Sequence, residues 1–202
     1  MNLSVLIHTF NAYRHLWPGC IDAWGSIPET EAANFYFGTD ITTDYNVSPF
    51  IPLYSGPGEW SDRLRALLAQ IPTDYVLYMQ EDHWPTQSPP DLAEMMRIME
   101  EKQLLRLHLG PIASFYTLFQ GENTIYFSPE SKYLVSHQPS IWKKDFLLDC
   151  LKPGETPWVN EYKGTLRLQQ NTLIREFIHK KIAIYPSEWY AHKCIKGKVV
   201  DG

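Results

Sequence analysis

The chain has 202 residues, 44% of them hydrophobic and 20% charged, with a formal net charge of −5, the balance of a globular protein large enough to bury a core. Its basic residues form no block beyond the pairs Lys143-Lys144 and Lys180-Lys181, which argues against nucleic acid as a partner, since such binding needs a concentrated basic footprint. Three scattered cysteines, Cys20, Cys150 and Cys194, give neither a disulfide framework nor a metal-ligand spacing and fit a reducing, cytoplasmic compartment.

In chain order, residues 3–10 read as a buried opening strand. Residues 12–24 carry helical spacing (Tyr13, Leu16, Trp17, Cys20, Ile21, Trp24), with Pro18 restricted to the first turns or to a kink. A second strand at 34–37 runs into Gly38-Thr-Asp40, and the Pro-, Gly-, Ser- and Thr-rich stretch 41–59 reads as loop. Ser61 is the expected cap of a helix over 62–70. A strand over 75–79, a helix over 92–102 and a strand over 104–109 follow. This alternation predicts an α/β fold with a mostly parallel sheet flanked by helices. The second half predicts a hairpin of 124–128 with 133–137, helices over 143–151 and 171–181, and a late strand at 182–185. No signal-peptide pattern opens the chain, and no apolar run reaches the length of a membrane span. The abundance of aromatics, seven Trp and twelve Tyr among them, leaves room for peripheral contact with the inner face of a membrane.

The segment Tyr75-Val-Leu-Tyr-Met-Gln-Glu-Asp-His-Trp-Pro85 is the most informative. A strand buried on both faces ends abruptly in two carboxylates, Glu81 and Asp82, followed by His83. Parallel sheets bind ligands just beyond the carboxyl ends of their strands, and paired carboxylates there suit Mg²⁺ or Mn²⁺. His83 adds a third ligand or a hydrogen-bond donor. Such a cation would neutralise a diphosphate and stabilise a departing nucleoside diphosphate.

Four stretches together resemble the GT-A fold glycosyltransferases, in particular the inverting family-2-like enzymes of bacterial surface-polysaccharide biosynthesis. Val5-Leu-Ile-His-Thr-Phe-Asn11 resembles their first nucleotide-binding strand. Gly58-Glu-Trp-Ser-Asp-Arg63 resembles the segment before the metal-site strand. Tyr78-Met-Gln-Glu-Asp-His83 resembles the DxD-type metal motif, although it reads Gln80-Glu81-Asp82. Ser136-His-Gln-Pro-Ser-Ile-Trp142 with Pro153-Gly-Glu-Thr-Pro-Trp-Val-Asn-Glu161 resembles the acceptor half.

The resemblance implies a Rossmann-like, GT-A type sheet with a small mixed C-terminal acceptor region. Residues 1–202 would form one domain, with 1–110 binding the nucleotide-sugar and 111–202 the acceptor. It implies an enzyme moving a hexose-like sugar from a nucleotide-diphosphate donor to a saccharide or lipid-linked saccharide. Thr9, Asn11 and Asp40 would then contact the nucleoside, Arg63 a phosphate through its planar fork, and Glu81 the ribose. Asp82 matches the last acid of the motif and would hold the cation together with a C-terminal histidine, His192. Lys193, Lys196 and Lys198 would close over the diphosphate. An inverting transferase also needs a carboxylate base near the acceptor hydroxyl. Glu161 is the candidate, ahead of Glu155 and Asp145, with Trp158 as an apolar wall and His137 as a further acceptor contact. Two alternatives remain: a nucleotidyltransferase, against which stands the lack of glycine in His8-Thr-Phe-Asn-Ala12, and a non-catalytic carbohydrate- or nucleotide-binding protein on a degenerate transferase fold.

Overall fold

The computed structural model describes residues 2–27, 34–178, 180–195 and 198–199. Strand β1 (Leu3–His8) is buried throughout. It lies between β2 (Asn34–Thr39) and β4 (Tyr75–Gln80) and is parallel to both. β3 (Ile51–Tyr54) adds a parallel edge beside β2. On the other side, β9 (Ser140–Lys143) runs antiparallel between β4 and β6 (Arg106–Gly110). β10 (Ile182–Pro186) returns parallel to β6, and the hairpin β7 (Leu118–Gly121) to β8 (Thr124–Phe127) closes that edge. The expected α/β sheet is therefore present and largely parallel, with reversed strands contributed by the second half of the chain.

Side chains alternate across the sheet with the period-two geometry of a strand. Val5, Ile7, Leu77 and Met79 join one core with Trp17, Cys20, Ile21 and Trp24 of α1 (Trp17–Gly25) and Leu92, Met95, Met96 and Met99 of α3 (Leu92–Glu101). Leu6, Val76 and Tyr78 join the other with Leu64, Leu67 and Leu68 of α2 (Trp60–Leu68) and Phe146 and Leu147 of α4 (Lys144–Cys150). Both faces are covered, which is why these strands read as unbroken apolar runs.

Several local expectations are corrected. The helix expected over 12–24 is split: a 3-10 turn, Asn11–Leu16, precedes α1, and Pro18 sits in the first turn of α1, where its missing N–H costs no hydrogen bond. The stretch 41–59 contains β3, hidden by Pro52, which an edge strand tolerates. Ser61 does not cap α2, which starts at Trp60. Ser61 is buried, and its Oγ accepts the Glu155 N–H at 3.0 Å. The hairpin forms from 118–127, one step earlier than expected. Residues 133–137 are instead a loop, buried from Leu134 onward, in which Val135 N–H reaches Thr165 Oγ1 at 3.1 Å and Leu134 O accepts from Arg106 at 3.0 Å, so side chains take the place of a ladder. Glu161 lies on a helix, α5 (Pro157–Gln170), whose N-cap Thr156 and first-turn Pro157 start it. A shorter helix, α6 (Thr172–Ile178), leads into β10.

Two devices fix the chain beyond β4. Strand β5 (His83–Pro85) pairs antiparallel with β11 (Tyr190–His192), setting His83 opposite His192. Trp189, fully buried, anchors β11 by donating its indole N–H to Leu109 O at 2.9 Å. Trp84 donates its indole N–H to Glu81 O at 2.8 Å, and its ring lies so close to α1 that a Cβ on Gly19 would fall 1.9 Å from it. A Gly19→Ala substitution should therefore overpack this contact and lower stability by roughly 1–3 kcal/mol. Denaturant unfolding checks this, and an unchanged midpoint would show that Trp84 repacks freely.

Candidate active site

The carboxyl ends of β1, β2 and β4 coincide, with His8 paired to Gly38 on one side and Gln80 on the other. A cavity of about 640 Å³ opens at these ends, where open α/β sheets bind ligands. Thr9 and Arg63 line it, as do Glu81, Asp82 and His192 and, from the second half of the chain, His137, Trp158 and Glu161. Asn11 and Asp40 are not in its lining. They pair with each other, Asn11 N–H donating to Asp40 Oδ1 at 2.6 Å in an exposed contact. Lys198 is exposed, Lys193 donates its backbone N–H to Asp82 O at 2.7 Å, and Lys196 lies outside the described residues.

The two adjacent acids behave differently. Burial and then the charge of Asp82 push Glu81 up to about 8, although Thr9 hydrogen-bonds it and Arg63 faces it. Glu81 is thus protonated at neutral pH and can both donate and accept. Burial would raise Asp82 as well, but contacts with His192 and His83 outweigh it and hold this carboxylate well below its ordinary value. His192 Nε2 is 2.7 Å from Asp82 Oδ2, and the hydrogen bond raises His192 above the usual imidazole value. Environments that push neighbouring groups apart in this way are frequent at functional sites, which makes this pair a candidate.

Asp82, His83 and His192 each offer a ligand atom, all within 4.8 Å of one another. His83 Nε2 lies 3.2 Å from Gln138 Oε1, which also accepts the Tyr190 hydroxyl at 3.2 Å. The other ring nitrogen of His83, Nδ1, faces Asp82 Oδ1 at 3.2 Å, and neither buried atom makes a hydrogen bond of good geometry. A donor set of one carboxylate and two imidazoles fits a divalent cation, and suits Mn²⁺ better than the all-oxygen preference of Mg²⁺.

The remaining carboxylate, Glu161, is held from the protein side. Its Oε1 accepts the His137 N–H at 2.7 Å; burial raises its pKa against that bond and the charge of Arg106. The His137 ring packs on Trp60 with centroids 4.3 Å apart, and its Nε2 meets Asn160 Oδ1 at 3.0 Å. Asn160 in turn donates to Glu155 at 2.6 Å, and Glu155 accepts Arg167 at 2.7 Å. Glu155, weighed above as a competing base, is thus engaged in fixing α5. Trp158 is 73% exposed at the rim. Arg63 lies over the Phe10 ring at 4.7 Å, with its Nε unpartnered.

His8, Trp60 and Gln138 also line the cavity, and sequence reading did not single them out. His8 had a signal in directly preceding Thr9 at a strand end. Gln138 had none, because its place opposite His83 depends on the path of the 133–137 loop.

No family model matches the chain, and no curated protein matches its sequence. Among solved structures, it resembles TarS 1-349 of S. aureus in complex with UDP, at 16% identity and a TM-score of 0.61, covering 94% of this chain and 59% of that one. TarS 1-349 with UDP-GlcNAc gives a TM-score of 0.57 at 17% identity, covering 94% of this chain and 57% of that one. Glucosyl-3-phosphoglycerate synthase from Mycobacterium tuberculosis, with Mn²⁺ and uridine-diphosphate-glucose, gives 0.56 at 13% identity, covering 96% of this chain and 71% of that one. The chain thus spans about 59% of the length of TarS 1-349. These likenesses show the fold: it is that of the GT-A glycosyltransferases. CMP:2-keto-3-deoxy-manno-octonic acid synthetase, complexed with CTP, shares it at a TM-score of 0.52 and 12% identity, covering 95% of this chain and 91% of that one. Among the described residues, no helix is long and apolar enough to cross a membrane.

The buried histidines give the protein an acid limb. His8, His108 and His137 are each lowered to about 3, chiefly by burial. A base lowered on folding takes up its proton only in the unfolded chain, so its stabilisation is complete above the unfolded value of 6.5 and is lost as pH falls toward 3. Glu81 works in the opposite sense, stabilising below 4.5 and losing that contribution as pH rises to about 8, and Glu161, also raised by burial, acts as Glu81 does, but these are two protons against three. Stability measured by urea unfolding should therefore fall from about pH 6 to about pH 4, each net proton contributing up to about 1.4 kcal/mol per pH unit. A flat or rising profile over that range would mean that the three rings are not held neutral.

Proposed function

We propose that this chain transfers a sugar from a nucleoside-diphosphate donor to a hydroxyl of a saccharide or lipid-linked saccharide, with inversion and with the help of Mn²⁺ or Mg²⁺. The observation that carries the reading is that one strand-end cavity is lined by both an Asp–His–His cluster and a separate, half-buried carboxylate, Glu161. The fold and the ligands of its solved counterparts support it: TarS was solved with UDP and with UDP-GlcNAc, and the mycobacterial synthase with Mn²⁺ and UDP-glucose. Residues 1–110 carry the donor side and 111–202 the acceptor side.

In this reading Asp82, His192 and His83 hold the cation. A divalent cation held there would supply positive charge opposite a leaving diphosphate. Protonated Glu81 and Thr9 offer uncharged hydrogen bonds to the nucleoside, with Asn11 and Asp40 meeting its outer edge. Arg63 faces a phosphate. The acceptor oxygen forms a bond to the anomeric carbon while the bond from that carbon to the diphosphate oxygen breaks. The electron pair leaves with the diphosphate, and the acceptor proton passes to Glu161. His137 positions that base through its backbone N–H, and Trp158 walls the cavity mouth.

A nucleotidyltransferase shares the fold, but its reading needs backbone amides free to cradle phosphate after the first strand. Here Thr9 N–H is spent on Gly38 O at 2.9 Å. The test is release of nucleoside diphosphate from a panel of nucleotide-sugars with Mn²⁺, followed by mass spectrometry of products. Glu161→Gln should keep donor binding and lower kcat by roughly 10²–10⁴-fold, the usual contribution of a general base. In the wild type, kcat/KM should rise with pH along a limb set above 4.5 by the burial of Glu161, and that limb should vanish in the variant. Full turnover by Glu161→Gln would refute the base assignment. Saturable donor binding without product release would instead identify a non-catalytic binder.

A further inference from the structure

A second cavity, about 360 Å³, meets the first: Glu161 and Gln138 line both. We propose that this second cavity is the seat of an uncharged pyranose ring of the acceptor, stacked on Phe115 and Tyr133 with a hydroxyl turned to Glu161. The inference rests on the glycosyltransferase reading above and names the chemistry of its acceptor.

The walls carry the argument. Phe115 and Tyr133 are 48% and 40% exposed, with ring centroids 5.3 Å apart, so two aromatic faces are presented where a soluble protein would ordinarily bury them. Tyr116 backs Phe115 edge-on at 4.9 Å and is itself anchored on buried Phe127 at 4.9 Å. Aromatic faces suit the apolar C–H face of a sugar ring, while hydroxyls need polar groups around them. The same cavity supplies Ser136, Gln138, His108 and the Tyr190 hydroxyl.

Charge narrows the class. No lysine or arginine is among the described residues lining this cavity, and Glu161 is its one carboxylate. His108 is held neutral at physiological pH by burial. A phosphorylated or carboxylated acceptor would find no lysine or arginine in the wall to pair with, since Arg106 behind it is wholly buried and donates to Tyr133 O and Leu134 O, and it would face Glu161, whereas a neutral polyol needs no such partner.

The Tyr133 ring is also built into place. Its backbone φ is +60°, a left-handed conformation that a bulky residue rarely adopts and that persists only when its surroundings impose it. The guanidinium of wholly buried Arg106 imposes it, donating to Tyr133 O at 3.2 Å and Leu134 O at 3.0 Å. That guanidinium is wedged against Trp142 and Phe127 at 5.0 and 5.6 Å. A ring displayed at the surface by a buried cation and an uncommon backbone conformation is positioned as a contact.

The experiment is saturation-transfer NMR with methyl gluco-, galacto- and mannopyranosides, both anomers, on protein saturated with UDP and diamagnetic Mg²⁺, since the unpaired electrons of Mn²⁺ would quench the signal. Binding is compared between wild type and a Phe115→Ala/Tyr133→Asn double variant. Asn tolerates the left-handed backbone, and both side chains are half exposed, so the variant should fold; an unchanged thermal shift on adding UDP with Mn²⁺ verifies this. The expected result is saturation of ring C–H protons of at least one pyranoside, weakened roughly tenfold in the variant, with UDP binding intact. Absence of any pyranoside signal in the wild type, or equal signals in the two proteins, would overturn the seat. A wild type that binds a pyranoside but no nucleoside diphosphate would overturn the glycosyltransferase reading itself, leaving a sugar site that is not an acceptor seat.

Discussion

The site depends on one short antiparallel ribbon. Asp82 and His192 are 110 positions apart in sequence yet stand 2.7 Å apart, because β5 pairs with β11 in the register that opposes His83 to His192. The ribbon has little stability of its own, since two short strands are marginal in water. It is held at one end by Trp189 in the core and on its face by Trp84 against Gly19. Those indoles turn a weak ribbon into a fixed mount for three candidate ligands. The same mount orients the carbonyl of Glu81, so the acid pair and the imidazoles are set by one piece of packing.

Around that mount the cavity sorts charge with little room for exchange. Glu81 and Asp82 are neighbours in the chain but sit on opposite sides of neutrality, one protonated by burial and one kept ionised by imidazoles. Glu161 comes from a different element and is braced through His137, Asn160, Glu155 and Arg167. Asp82 follows β4 and Glu161 stands on α5, so the two carboxylates reach the same cavity from different halves of the chain.

The sequence made the sheet legible where burial is symmetrical. β1 and β4 place apolar side chains on both faces of the sheet, and an apolar run followed by acids, as after β4, reads as a strand end in an α/β protein. Asp82, Glu161 and His192 stand out as candidates because each is a chemically distinctive residue beside a strand or turn signal, and all three line one cavity. What stayed hidden depends on tertiary context. β3 carries Pro52, acceptable only because the strand is an edge. β9 is four residues long and lies reversed in the middle of the sheet, and nothing local announces that. The loop at 133–137 has strand-like composition, but Arg106 and Thr165 take its backbone groups. The placement of Gln138 and of the aromatic pair Phe115 and Tyr133 follows from that loop, so they were out of reach.

The proposed transfer requires a cation-dependent diphosphate site centred on Asp82. The most direct measurement is the thermal midpoint of wild type and Asp82→Ala with UDP, GDP, CDP or ADP, each with and without Mn²⁺, since ligands that bind the native state raise the midpoint by mass action. The account predicts that at least one nucleoside diphosphate raises the wild-type midpoint, more strongly with Mn²⁺, and that the Mn²⁺-dependent part disappears in Asp82→Ala. An equal, metal-independent rise in both proteins, or no rise with any of the four, would contradict it.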